Sequence, residues 1–288
     1  MRTIARRHNP IVASFRAAAL ARGTDRRHLL LDGARLIEDA RSAGAAIEVA
    51  LFAAAGVLDT DTPLARLAEA LDHAGAETLA ASESVLRAAS PVRTPSGVVA
   101  LATHRPRTAG QVVTVASHGL IVAAVGVQDP GNVGAIIRAA DAGGAQAVVV
   151  AGDSADPFAW KALRGAMGSS FRIPIATTQD VASLVDDAHA HGMRVIAAVP
   201  RGGAGIYEAD LAGPRLVLVG REGAGLDDDI DLKSDLRVSI PMRHQVDSLN
   251  VAVAAALIIY EARRQSLRRR RGGRSPARTG SRTRSTTS

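Results

Sequence analysis

Short apolar runs separated by helical patterns constrain the second half of this chain more than any other feature. Leu120–Val127, Ala147–Ala151, Val195–Val199, Leu216–Val219 and Arg237–Ile240 read as short strands, most of them apolar enough to be buried on both faces. Helical spacing predicts helices over Val133–Ala142, Pro157–Met167 and Val181–His191, and a long final one over about Leu249–Arg264. Strands alternating with helices imply a parallel sheet covered on both sides. Right-handed crossovers then place the strand-to-helix loops on one edge. Ligands of such sheets bind outside the carboxyl ends of the strands. The chemically informative residues fall there: Gln128 to Gly134 after the first run, Gly220 to Gly225 after the fourth, and Pro241 to Asn250 after the fifth.

The first half carries a compact α/β alternation over residues 26–104. His28–Leu31, Ile47–Ala53 and Gly97–Ala102 are predicted strands, with helices over Asp32–Ser42 and Pro63–His73. No catalytic constellation occurs in it, so it reads as a recognition or packing domain. Residues 1–25 read as an amino-terminal extension. Arg105–His118, polar and without clear periodicity, reads as a linker. A length of 288 residues suits two domains of roughly 100–150 residues each.

Charge and composition exclude several classes of function. The net charge of +7 is concentrated, because residues 263–288 hold ten arginines and no acidic residue, leaving the rest of the chain at −3. Residues 266–288 therefore read as a disordered Arg-rich tail able to add phosphate affinity. With no cysteine, disulfides, thiolate zinc sites, iron–sulfur clusters and a cysteine nucleophile are all excluded. The absence of a long apolar segment or a signal peptide points to a cytoplasmic chain without membrane contact. Aromatic residues make up 2% of the chain, which disfavours a stacking-based single-strand binder.

Familiar loop motifs are absent too. Neither G-x-G-x-x-G after a strand nor G-x-x-x-x-G-K-[ST] occurs, no histidine cluster suggests a metal, and Ser248 lies outside any G-x-S-x-G. Each of the three loops alone is a weak signal.

Together they form a recognisable set: Asn132-x-Gly134-x-x-x-Arg138; Gly220-x-Glu222-Gly223-x-Gly225-Leu226; and Ile240-Pro241-Met242 followed by Val246-x-Ser248-Leu249-Asn250-Val251-x-Val253-Ala254. This set resembles the SpoU (TrmH-like) RNA ribose methyltransferases of the SPOUT superfamily, across residues 119–265. The first half is similar to the L30e-like substrate-binding domain often attached to them, with Asn9-Pro10 and Thr94-Pro95-Ser96-Gly97-Val98 as landmarks. The resemblance implies an α/β chain whose carboxy-terminal parallel sheet carries a deep trefoil knot. It also implies a homodimer, S-adenosylmethionine as methyl donor, and RNA as substrate. Ribosomal RNA is favoured, with transfer RNA as the alternative; a catalytically silent RNA-binding protein on the same fold is the other.

Carried over by motif position, Gly220, Ile240 and Leu249 hold the cofactor, largely through backbone groups. Arg138, Asn132, Glu222, Ser248 and Asn250 form the catalytic and substrate-positioning set. The resemblance makes Arg138 the group that activates the ribose hydroxyl. With a pKa above ~12, a guanidinium is a poor base. It can instead orient the nucleophile and stabilise alkoxide charge while solvent or a phosphate oxygen takes the proton. Asn132 and Asn250 also have an alternative reading as helix caps, and Glu222 one as a cap for loop amides. His244 stands where the family often has glycine.

Overall fold

The computed structural model describes residues 1–21, 27–59, 61–103, 107–221, 223, 225–243 and 246–272. The first half contains strands β1 (Arg2–Ile4), β2 (Leu29–Asp32), β3 (Ala46–Ala53), β4 (Glu77–Ala81) and β5 (Val98–Thr103). They form one sheet in the order β1-β4-β3-β5-β2, in which β3 and β5, and β2 and β5, run antiparallel and the other pairs parallel. Its helices are α1 (Pro10–Leu20), α2 (Ala34–Ser42), α3 (Ala54–Val57), α4 (Pro63–His73) and α5 (Glu83–Ala89).

Alternation along the strands sends side chains to two cores. Val98, Ala100 and Ala102 join Ile37, Leu67 and Leu71 on one face. Val99 and Leu101 join Val12, Phe15, Val85 and Leu86 on the other.

Residues 1–21, the described part of the expected extension, are thus part of the first fold unit. β1 pairs with β4, and Phe15 of α1 is fully buried. Asn9 caps α1, accepting from the Ile11 amide at 2.9 Å, with Pro10 in the first turn.

The second half adds α6 (Ala109–Ala116), β6 (Leu120–Val125), α7 (Pro130–Gly143), β7 (Ala147–Ala151), α8 (Trp160–Ala166), α9 (Ser169–Arg172), β8 (Ile175–Thr178) and α10 (Val181–Ala190). It continues with β9 (Arg194–Ala198), β10 (Ala204–Gly205), β11 (Arg215–Val219), α11 (Asp228–Leu232), β12 (Leu236–Ser239) and α12 (Val251–Gly272). Its seven strands are ordered β10-β12-β9-β11-β6-β7-β8, and every pair is parallel. The chain runs outward from β6 to β8, returns to β9 on the far side, and then inserts β11 between β9 and β6.

The expected linker is largely a helix. Thr108 and Gln111 form a reciprocal capping box, and Val112, Val113 and Ala116 of α6 pack under the second sheet. The expected tail likewise begins as helix, because α12 continues to Gly272. Arginine is a good helix former, so a run of it prolongs a helix already nucleated by packing. The rest of the predicted tail, 273–288, lies outside the described residues.

The two sheets share a core. Residues of β2, β3 and β5 belong to the same apolar cluster as β6, α7, α8 and α12. Arg172 adds a polar tie, 2.9 Å from Asp141 and 3.8 Å from Asp39 of α2.

Candidate functional site

At the carboxyl edge of the second sheet, β6, β11 and β12 end in the three loops singled out by sequence. The first opens α7. Asp129 caps that helix by accepting from the Asn132 amide at 2.8 Å, and Pro130 fills its first turn. Asn132, in that same turn, is therefore not the cap. Gly134 is fixed by close packing, since a Cβ there would lie 2.4 Å from the Ala162 carbonyl oxygen of α8.

The second loop folds back on itself. The amides of Arg221 and Gly225 each donate to the other residue's carbonyl, at 3.0 and 2.9 Å. Gly223 and Gly225 both have positive φ. A Cβ on Gly220 would fall 2.3 Å from the carbonyl carbon of Gly225, so this turn closes only around a glycine. Glu222 and His244 lie outside the described residues.

The third loop leads into α12. Asn250 caps that helix, its Oδ1 accepting from the amides of Ala252 at 3.0 Å and Val253 at 3.3 Å. Its Nδ2 donates to Oδ1 of Asn132 at 3.0 Å. The cap reading and the site reading of Asn250 thus hold together: one end of the amide starts a helix and the other joins the first and third loops.

Between the second and third loops lies a pocket of about 610 Å³, counted to its open mouth; among the described residues, none of the first loop lines it. All three residues expected to hold the cofactor, Gly220, Ile240 and Leu249, line it, and so does Ser248. The walls are mostly apolar, with Val219, Val238, Val251 and Ile258 among them, while Gly220, Arg221, Gly223 and Gly225 of the second loop line the rim. That combination suits a ligand with a flat heterocycle and a few hydrogen-bonding edges. S-adenosylmethionine is such a ligand, and the pocket's size and mostly apolar lining fit it.

Sequence reasoning missed three of the contributors. Val199 and Pro200, after β9, and Ala254, on the first turns of α12, also line the pocket. Pro200 directly after a buried strand was the readable signal.

Arg138 is placed apart. It is exposed on α7, makes no hydrogen bond or ion pair among the described residues, and does not line the pocket. Six residues beyond Asn132, it stands about 9 Å further along the axis and about 120° around it.

Fold and site define an α/β protein with a cofactor-sized pocket at the carboxyl edge of a parallel sheet, lined by the loops after β9, β11 and β12 and by α12. The profile of the SpoU rRNA Methylase family matches residues 119–260. An uncharacterized tRNA/rRNA methyltransferase of Synechocystis is 33% identical over 258 residues, spanning 89% of this chain and 92% of its own length. The 23S rRNA (guanosine(2553)-2'-O)-methyltransferase RlmP of Bacillus subtilis is 39% identical over 182 residues, 63% of this chain and 71% of its own. The crystal structure of an AdoMet-bound rRNA methyltransferase from Sinorhizobium meliloti superposes with a TM-score of 0.80 at 28% identity, covering 91% of this chain and 97% of that one. This chain belongs to the SpoU rRNA methylase family.

Proposed function

We propose that this chain methylates a ribose 2'-hydroxyl in RNA, with S-adenosylmethionine as donor and ribosomal RNA as substrate. The observation that carries the reading is the pocket, which sets Gly220 of the second loop against Ile240, Ser248 and Leu249 of the third. Relatives such as RlmP, named as a 23S rRNA ribose methyltransferase, support the substrate class. The name of the Synechocystis relative keeps transfer RNA as a second reading.

The bound cofactor supplies an electrophilic methyl group on a sulfonium centre. Gly220, Ile240 and Leu249 hold it among apolar walls, mainly through backbone groups. Asn132, locked by Asn250, and Ser248 present fixed polar groups to the target nucleotide, and Glu222 is assigned to the same positioning set. Arg138 orients the hydroxyl and stabilises charge as its proton leaves.

The exposure of Arg138 supports a homodimer. Val253 and Tyr260 are 49% and 51% exposed and Leu257 37%, an apolar stripe on the outer side of α12 beside α7. A second copy covering that face would enclose Arg138 in the assembly, where its contact with substrate is expected. The insertion of β11 between β9 and β6 supports the trefoil knot. We assign residues 26–104 to RNA recognition as an L30e-like unit and 119–265 to methyl transfer. No helix among the described residues is long and apolar enough to cross a membrane, in keeping with a cytoplasmic site of action.

The test is calorimetry of the full chain with S-adenosylmethionine and S-adenosylhomocysteine, followed by tritiated methyl transfer to unmethylated 23S rRNA. Binding of both ligands and a label at a ribose 2'-oxygen are expected. A folded chain that binds neither ligand overturns the assignment.

A further inference from the structure

A second cleft lies between the two halves of the molecule. It is lined by Asp32, Gly33 and Arg35 at the β2–α2 junction, by Asp39 and Ser96, and by Arg164 and Met167 at the end of α8. Its volume to the open mouth is about 670 Å³, ample for one nucleotide.

Three features make it more than a gap between packed units. Arg35 and Arg164 come from different halves of the chain, both exposed, and neither makes a hydrogen bond or ion pair among the described residues. Most other arginines of the described surface are paired with acids or carbonyls. Met167 is the one non-glycine residue with positive φ among the described residues, at 50°, and is 52% exposed at the cleft. The backbone state ends α8, the Met167 amide donating to the Arg164 carbonyl at 3.3 Å, and it turns the apolar side chain out to water at the cleft. Finally, the two carboxylates of the cleft are not equally occupied. Asp39 faces Arg172, whereas Asp32 accepts one hydrogen bond, from Ser90 at 2.6 Å on Oδ2, leaving Oδ1 with acceptor capacity.

The cleft adjoins the methylation site. A Cβ on Gly165, next to Arg164, would lie 3.4 Å from the carbonyl oxygen of Gly131 in the turn that carries Asn132. One helix width, roughly 10 Å, therefore separates the two sites.

We propose that this cleft binds a nucleotide of the substrate RNA that flanks the methylated one, with Arg35 and Arg164 on its phosphate, Met167 against its base, and Asp32 accepting from a base N–H. The inference rests on the reading of the chain as an RNA methyltransferase and extends it to a specificity subsite. A planar guanidinium pair suits a phosphodiester. A thioether against a base face supplies the contact that the scarce aromatic residues cannot. A carboxylate in the cleft accepts from a base edge that presents N–H donors and repels an edge that presents acceptors.

The experiment compares the full chain with the double variant Arg35→Ala/Arg164→Ala and with Met167→Gly. Glycine is at ease at positive φ, so the latter removes the side chain without disturbing the turn. The probe is an unmethylated 23S rRNA transcript from the encoding organism, with its affinity measured by filter binding and its methylation by tritium transfer. Both variants should bind the transcript about tenfold more weakly and show a matching rise in KM, with kcat and S-adenosylmethionine affinity unchanged. Unchanged RNA affinity in both variants overturns the subsite and leaves the methyl-transfer reading standing. A wild-type chain that binds the transcript without methylating it, and loses that binding in the variants, has the opposite meaning. Binding absent from the wild type overturns the subsite together with the rRNA assignment.

Discussion

A Cβ at Gly220 would fall 2.3 Å from the carbonyl carbon of Gly225 and 2.6 Å from the amide nitrogen of Leu226, both backbone atoms that cannot rotate away. The turn that forms the pocket rim has to open to admit it. Gly220→Ala should therefore abolish measurable S-adenosylmethionine binding, while the buried strands behind the loop keep the chain folded. Arg138→Lys should behave in the opposite way. It lies outside the pocket on α7, so cofactor affinity should stay within about twofold, whereas loss of the planar guanidinium fork should lower single-turnover transfer by roughly a hundredfold or more. Calorimetry and rapid-quench transfer on the two variants check the contrast. Near-normal transfer by the Lys variant would show that charge alone suffices, and loss of cofactor binding would make Arg138 a structural residue.

Among elements, α12 ties cofactor pocket, substrate loop and chain terminus together. Its amino end is capped by Asn250, which also donates to Asn132. Midway along it Glu261 is buried, and its hydrogen bonds from Arg264 hold its carboxyl below the ordinary range. Gln265 then reaches Ala209 and Leu211 in the loop before β11. The two tasks of Asn250 can be separated. Asn250→Asp keeps an oxygen for the helix amides but loses the Nδ2 donor, so thermal stability should hardly change while methyl transfer falls at least tenfold. Asn250→Ala should lose both, with about 1 kcal/mol of stability. Thermal unfolding beside a transfer assay decides the matter; equal activity in the Asp variant would reduce Asn250 to a cap.

The same scale shows what a sequence reveals and what it hides. β6, β7 and α7 were legible because their strands are apolar throughout and Asp129-Pro130 marks a helix start. β4 and β8, which contain Glu77 and two threonines, are too short and mixed for periodicity to register. Val112, Val113 and Ala116 did carry the signal for α6, but polar neighbours masked it. The pocket residues could be read because they sit in loops fixed by strand ends. The orientation of Arg138 could not, because it depends on how α7 packs against α8 and α12.

At the scale of the whole molecule the question is whether one chain is complete. Val253, Leu257 and Tyr260 recur at helical spacing on α12 and are 49%, 37% and 51% exposed, outside the buried core. Ile259, from the buried side of the same helix, packs on Gly143, where a Cβ would lie 2.1 Å from its Cγ2, so α7 and α12 form one rigid pair. A partner copy against this pair would need to bury roughly 1,000 Å² or more to be stable. Placing charge there should prevent that without harming the fold, because these side chains are not part of the monomer core. The double variant Val253→Glu/Leu257→Glu should sediment as a folded monomer at micromolar concentration, and the wild type should sediment as a dimer. Its methyl transfer should fall with the loss of the dimer, since Arg138 would then face water. A wild-type monomer at that concentration, with S-adenosylmethionine present, would dispose of the homodimer. A monomeric variant with full activity would instead show that each chain carries its own complete site, and Arg138 would have to reach the nucleotide from its own α7.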